Sequence, residues 1–196
     1  MKHCGTKQIE TNRLMLRRFK RDDVTAMYEN WASDPEVTKY LMWPTHTSTE
    51  VTKMVLEDWV NSYEKEDYYQ WAIVPKDNND APVGSISIVG MKENIGSVHI
   101  GYCIGRSWWH QGITSEALAA VIDFCFEEMN VKRVEARHDP NNPNSGGVMK
   151  KCGMVFEGTL RQCDHNNQGI CNASYYGLLR SEWELRKVEK IARYFW

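Results

Sequence analysis

The chain has no run approaching the roughly 18 unbroken apolar residues that a membrane-spanning helix needs. Its opening stretch, MKHCGTKQIETNRL, lacks the apolar segment of a secretory signal. Neither charge sign dominates. With 24 Lys and Arg against 26 Asp and Glu, the net charge of −2 gives no electrostatic footing for nucleic acid or an anionic membrane. No CxxC pair occurs among Cys4, Cys103, Cys125, Cys152, Cys163 and Cys171, and their scatter through apolar patterns suits reduced core thiols better than a disulfide frame. Histidines are equally dispersed, so no metal site is expected. Neither GxxxxGK[ST] nor a strand-following GxGxxG is present, which excludes the P-loop and the dinucleotide fingerprint. No internal repeat or low-complexity linker divides the 196 residues, so a single domain over 1–196 is expected. Together these absences predict a cytoplasmic protein that acts on small molecules or peptides.

What the chain does contain is a change of hydrophobic period. RLMLRRF (13–19) reads as a strand, and Val24, Met27, Tyr28 and Trp31 then recur at helical spacing. Thr47-Ser-Thr-Glu50 fits a capping box ahead of a second helix. YQWAIVP (69–75) and PVGSISIVG (82–90) form a hairpin pattern, and SVHIGYCIG (97–105) alternates two faces, with Val98, Ile100, Tyr102 and Ile104 on one and His99, Gly101 and Cys103 on the other. From Ser115 an apolar stripe runs through Ala117, Leu118, Val121, Ile122, Cys125, Phe126 and Met129. VKRVEARHD (131–139) follows as a strand, and strand, helix, strand implies a parallel crossover. VMKKCGMVFEG reads as a short helix and then a strand, ASYYGLLR (173–180) as the last strand, and the tail after Trp183 as a short helix or frayed end. The expected fold is mixed α/β, of the α+β class: a twisted, mostly antiparallel sheet with one splayed parallel pair, flanked by helices.

Gly112 stands between a strand and a helix. There the helix's first N–H groups and positive dipole end can receive a phosphate, with the hydroxyls of Thr114 and Ser115 as further donors. A plain turn and cap fits the same residues.

Several stretches in register, IGYCIGRSWWHQGITSEAL, VKRVEARHDPNNPNSGGVMKKCGM and EGTLRQ…YYGLLRSEW, resemble the GNAT-type N-acetyltransferase superfamily, most closely its RimL/RimJ-like branch. The likeness runs from RLMLRRF to GLLRSEW. The superfamily's phosphate loop, [RQ]-x-x-G-x-[GA], here reads Trp109-His-Gln-Gly112-Ile-Thr114, so only Gly112 keeps its place; the branch pattern W-x-x-G-x-x-x-E-A is met by Trp109, Gly112, Glu116 and Ala117. The resemblance implies acetyl-CoA as acyl donor. It assigns Tyr102, Cys103 and Ile104 to donor binding through backbone, His110, Gln111, Gly112, Ile113, Thr114 and Ser115 to the pyrophosphate, and Trp109 to packing of the loop. Asn142 would bind the pantetheine amides, and Ser145 would stand near the sulfur and protonate the departing thiolate. Lys151 could approach the 3′-phosphate or be an ordinary surface lysine.

An amine must lose a proton before it can attack a thioester. The resemblance makes Asp164 the first candidate base, and His99, which stands where relatives carry a glutamate, the second. Cys103 has no convincing histidine partner and reads as a buried thiol, not a nucleophile. Trp31, Trp43, His46, Tyr175 and Tyr176 are candidates for the acceptor channel, although aromatics there more often serve packing, because such helices must cover the sheet. Gly146 and Gly147, in place of bulkier residues, predict a loose start to the helix after Ser145. The acceptor is a primary amine, either a protein N-terminus or a small molecule such as a polyamine, amino acid or antibiotic. A non-catalytic acyl-CoA-binding module is the alternative of another class, and a homodimer is left open.

Overall fold

The computed structural model describes the backbone of residues 1–194 and the side chains of residues 1–189. The alternating stretches form β1 (Ile9–Glu10), β2 (Leu14–Arg17), β3 (Gln70–Pro75), β4 (Gly84–Lys92), β5 (Ser97–Ile104), β6 (Arg133–His138), β7 (Val155–Asn166) and β8 (Gly169–Leu179). They join in one eight-stranded sheet ordered β1-β2-β3-β4-β5-β6-β8-β7. Each neighbouring pair is antiparallel except β5 and β6, which are parallel.

Helices cover both faces. One face carries α1 (Val24–Met27), a π turn (Tyr28–Ala32), α2 (Pro35–Thr38) and α3 (Thr49–Ser62). Here Phe19, Met27, Trp31 and Leu56 pack on Ala72 and Val74 of β3. The other face carries α4 (Ile113–Glu127) and α5 (Pro143–Lys151), with α6 (Arg180–Tyr194) after the last strand. Ala117, Leu118, Val121, Ile122 and Cys125 of α4 meet Val98 and Ile100 of β5 in the larger core. Each such side chain removed from water contributes about 1.5–3 kcal/mol, enough to fix which face of β5 turns toward α4.

The feature that shapes the site is the end of the parallel pair. β5 and β6 pair only at Ser97↔Arg133, Val98↔Val134 and His99↔Glu135. On its other side β5 pairs with β4 along its whole length, but the register shifts between Ile88 and Gly90, leaving Val89 as an extra residue. Such a bulge bends its strand and increases local twist. β6 meanwhile follows β8 through Ala136↔Tyr176, Arg137↔Tyr175 and His138↔Ser174. From Ile100 onward the two strands diverge and leave one edge of β5 unpaired.

Several boundaries differ from the sequence expectation. Ser48, not Thr47, is the N-cap of α3, and its side chain makes no cap hydrogen bond. α4 begins at Ile113 because Gly112 takes the left-handed conformation and turns the chain there. β6 is trimmed to the residues that find partners. β8 begins at Gly169, earlier than the apolar pattern at 173 suggests, because β7 supplies a partner through Asn166↔Gly169. The tail is helical from Arg180. β1 and α2 were not expected; both are too short to show a period.

Candidate active site

A cavity of about 580 Å³ opens where β5 leaves β6. Tyr102, Cys103 and Ile104 form its strand wall, His110 and Gly112 through Ser115 one end, and Asn142, Ser145, Gly147 and Lys151 the side toward α5. Val37, Tyr40 and Leu41 close it from the α2 side.

At the α4 end, His110 and Gly112 have φ of 61° and 78°, so two left-handed residues reverse the chain into the helix. Gly112 gives no side-chain cap, and the first intrahelical bond runs from Glu116 N–H to Gly112 C=O at 3.0 Å. The N–H groups of Ile113, Thr114 and Ser115 come before that bond and lie at the cavity, where the helix dipole is positive. The loop is held from behind. Trp109 Nε1 donates to the Ile104 carbonyl at 3.0 Å, and Arg13 Nη1 donates to the Gln111 carbonyl at 3.1 Å. Glu116 accepts from Thr11 Oγ1 at 2.6 Å, Arg13 N at 2.9 Å and Arg13 Nε at 2.7 Å. The tryptophan and glutamate of the branch pattern are therefore ties within the loop and from α4 to the β1–β2 turn. Gln111 faces away from the cavity, its amide donating to Ser107 O at 2.8 Å.

At the α5 end, Tyr102 Oη lies 3.0 Å from the Ser145 carbonyl and 3.1 Å from Ser145 Oγ. Burial raises the Tyr102 phenol pKa, so the group keeps its proton. Asn142 precedes the helix without capping it through its side chain. The loop before it is set by buried Asp139, which accepts from Asn141 N–H at 2.9 Å and from Asn166 Nδ2 at 2.8 Å. The expected loose helix start is not found. A Cβ on Gly146 would stand 2.5 Å from His138 Nε2, so this glycine lets the helix press onto β6; Gly147 has open space around it.

The opposite face of the parallel pair is charged. His99 Nδ1 is 3.7 Å from Glu135 Oε1, and Glu135 also accepts from Lys92 at 3.0 Å and Arg133 at 3.2 Å. Burial, with the charge of Arg137 beside it, lowers the His99 pKa to about 4, so the imidazole is neutral at physiological pH. Asp164 forms an ion pair with Arg137. Burial alone would raise its pKa, but the Arg137 hydrogen bond and charge and the His165 N–H hold it below the usual carboxylate range. Neither His99 nor Asp164 lines the cavity. Cys103 bonds Ser85 Oγ at 3.4 Å and burial raises its pKa, which leaves no thiolate nucleophile.

Trp31 and Tyr176 are core residues, and His46 is buried with Nδ1 2.8 Å from Thr52 Oγ1. Trp43 is half-buried against the His46 ring, and Tyr175 is half-buried near Arg137. Sequence reasoning missed the β7–β8 turn. Asn167 donates to the carbonyls of Thr38 and Trp43, both at 2.8 Å, and pins the segment after α2 that carries Tyr40 and Leu41. Glu135 and Arg137 were also missed, although their spacing on one strand face was a usable signal. Among the described residues no group of three or more His, Cys, Asp or Glu is placed to hold a metal ion, and no helix is long and apolar enough to cross a membrane.

A mixed sheet with one splayed parallel pair and an uncapped helix N-terminus at the opening is the arrangement that the family resemblance implies. The family model for the acetyltransferase (GNAT) domain matches residues 13–155, and the chain belongs to that family of acetyltransferases. It is similar to the uncharacterized N-acetyltransferase YnaD of Bacillus subtilis (strain 168), 31% identical over 175 residues, which are 89% of this chain and 98% of that protein. The crystal structure of a GNAT-family acetyltransferase from Bacillus anthracis superimposes with a TM-score of 0.78 at 26% identity, over 90% of this chain and 100% of that one. The fold is also that of RimL, a ribosomal L7/L12 alpha-N-protein acetyltransferase solved with coenzyme A (TM-score 0.78, 20% identity, 88% and 98% of the two chains).

Proposed function

We propose that residues 1–196 form one acetyl-CoA-dependent N-acetyltransferase domain that modifies a primary amine, with a protein N-terminal amine as the acceptor. The observation that carries the reading is the cavity between β5 and α5, which has unpaired strand edge on one wall, free helix N–H groups at one end and the Ser145 hydroxyl at the other. These residues fit a coenzyme A donor. The α4 N-terminus offers N–H groups to a diphosphate, and Thr114 and Ser115 add hydroxyls. Backbone groups from Tyr102 to Ile104 offer strand-like hydrogen bonds to an amide-bearing arm, Asn142 adds a side-chain amide, and Gly147 leaves room beside them. Acetyl-CoA, when bound, supplies an acyl group on a thioester whose thiolate is the leaving group.

The chain's own residues then handle two protons. An incoming ammonium has no lone pair, so one proton must be accepted before attack. Asp164 and His99 remain the first and second candidates for this role: Asp164 is ionised but engaged by Arg137, and His99 stands at the vertex of the splay with an imidazole that burial keeps neutral and makes a weaker base than an ordinary histidine. Glu135, 3.7 Å from His99 Nδ1, favours the imidazolium once the proton arrives. Ser145 holds the other proton on Oγ for the departing sulfur. The protein acceptor is supported by the likeness to RimL and by a net charge of −2, which offers no bulk attraction to polycations.

The test is thiol release from acetyl-CoA across a panel of N-terminal peptides, polyamines and amino acids. Peptide-dependent release supports the reading; release with no amine of the panel rejects it. Ser145→Ala should lower kcat by about 100-fold or more while donor Kd stays within about twofold.

A further inference from the structure

Tyr102 lies on the face of β5 that also carries Val98 and Ile100, and by pattern alone it is a core tyrosine. Its hydroxyl does something the core does not require. It contacts both oxygens of one residue, the carbonyl at 3.0 Å and Oγ at 3.1 Å of Ser145. Ser145 sits in the first turn of α5, where Asn142 supplies no side-chain cap and Gly146 and Gly147 follow directly. Within that turn the Ser145 N–H donates to the Asn142 carbonyl at 3.2 Å. Gly146 is seated on His138 of one arm of the splay, and the Tyr102 hydroxyl holds Ser145 to the other arm.

The two contacts have a consequence for the serine proton. A carbonyl only accepts, so when the phenol proton points to Ser145 O, the phenol oxygen can accept from Ser145 Oγ–H and the serine proton is held back. When the phenol proton points to Oγ, the serine proton is free to turn into the cavity. From this geometry we infer that Tyr102 is a positioning residue for Ser145: it fixes the hydroxyl between the arms of the splay and, by rotating its own O–H, presents the serine proton to the departing sulfur. The inference rests on the acetyltransferase reading above. In the step itself the Ser145 O–H bond breaks as the S–H bond forms. The Tyr102 O–H, a stronger acid than the serine hydroxyl, gives its proton to Oγ as that bond breaks, and water returns a proton to the pair.

The test combines Tyr102→Phe, Ser145→Ala and the double variant in the full chain. Tyr102→Phe should lower kcat by about 10- to 100-fold with donor Kd within about twofold, and should have no further effect in the Ser145→Ala background. A second readout needs no acceptor. The ultraviolet thiolate absorbance of bound coenzyme A, followed against pH, should show the thiol ionising at higher pH in both single variants, because the sulfur anion has lost a hydrogen-bond donor. If Tyr102→Phe folds poorly, 3-fluorotyrosine at position 102 keeps the shape, donates more strongly to Ser145 and should let the bound thiol ionise at lower pH than in the wild type. An equal loss of kcat in the presence and absence of the serine hydroxyl, an unchanged kcat in Tyr102→Phe, or a thiol titration unmoved in these variants each overturns the inference. Absence of turnover in the wild type with every amine rejects the functional reading instead, and the thiol titration still reports on the tether.

Discussion

Gly146→Ala and Gly147→Ala differ by one position on the same helix and should change stability in opposite directions. Within a helix, replacing Gly by Ala gains about 0.5–1 kcal/mol, chiefly because the unfolded chain loses freedom. At Gly147 nothing lies within 4 Å of the added methyl, so that gain should appear nearly in full. At Gly146 the methyl would sit 2.5 Å from His138 Nε2 and 2.9 Å from Cε1. The ring cannot yield freely. Its Nδ1 is bonded to the Asp139 carbonyl at 2.8 Å, and its centroid is 5.7 Å from that of buried Tyr176. Forcing a methyl into such packing costs about 1–3 kcal/mol, which exceeds the helix gain. The two variants should therefore differ by about 1–3 kcal/mol, read from urea midpoints with unchanged slopes, or by about 2–12 °C in Tm. Gly147→Ala, which lines the cavity, should in addition weaken donor binding, whereas Gly146→Ala should act on the position of Ser145 and hence on kcat. Equal stability of the two, or a Gly146→Ala more stable than wild type, would refute the claim that α5 is seated on β6 through this glycine.

Two further outcomes follow from charges near the site. His99 has its folded pKa lowered from 6.5 to about 4, so its contribution is fully present above pH 6.5 and is lost as pH falls toward 4 while the unfolded chain takes up the proton. Between pH 7 and pH 5 wild type should lose about 2 kcal/mol more than His99→Phe in urea unfolding; parallel curves for the two proteins would show that the imidazole is not held neutral. Glu116 accepts three hydrogen bonds from Thr11 and Arg13, so Glu116→Ala should cost about 1–3 kcal/mol and raise donor Kd, because the turn that presents Ile113 to Ser115 loses its tie to the β1–β2 turn. Calorimetric titration with coenzyme A checks the second part, and an unaltered Kd would separate Glu116 from the loop's geometry.

Most of the sheet and the longer helices were legible in the chain because hydrophobic period is a local property. The alternation through Val98, Ile100, Tyr102 and Ile104 assigned one face of β5 to the core, and the strand, helix, strand order implied the parallel pair. Gly112 marked the start of α4 because few other residues enter a left-handed turn without cost. The family likeness added Asn142 and Ser145, which propensity alone could only read as cap and loop. Short elements escaped. β1 and α2 are each shorter than the window over which a period can be seen, and the turn at Asn167 is recognised only through the carbonyls of Thr38 and Trp43, which are far away in the chain.

The sequence by itself determined the class of fold, the turn at Gly112 ahead of α4 and the polar residues offered as candidates for proton transfer. Tertiary structure decided what surrounds those polar residues. The family likeness puts Asp164 before His99, but only the packed chain shows that Arg137, on a different strand, takes up the carboxylate and that burial at the vertex of the splay keeps the imidazole neutral. Tyr102 reads as core until α5 brings Ser145 to its hydroxyl. In each case the deciding partner is distant in sequence, and both hydrogen bonding and desolvation depend on which atoms lie within a few ångströms, which only the packed chain specifies.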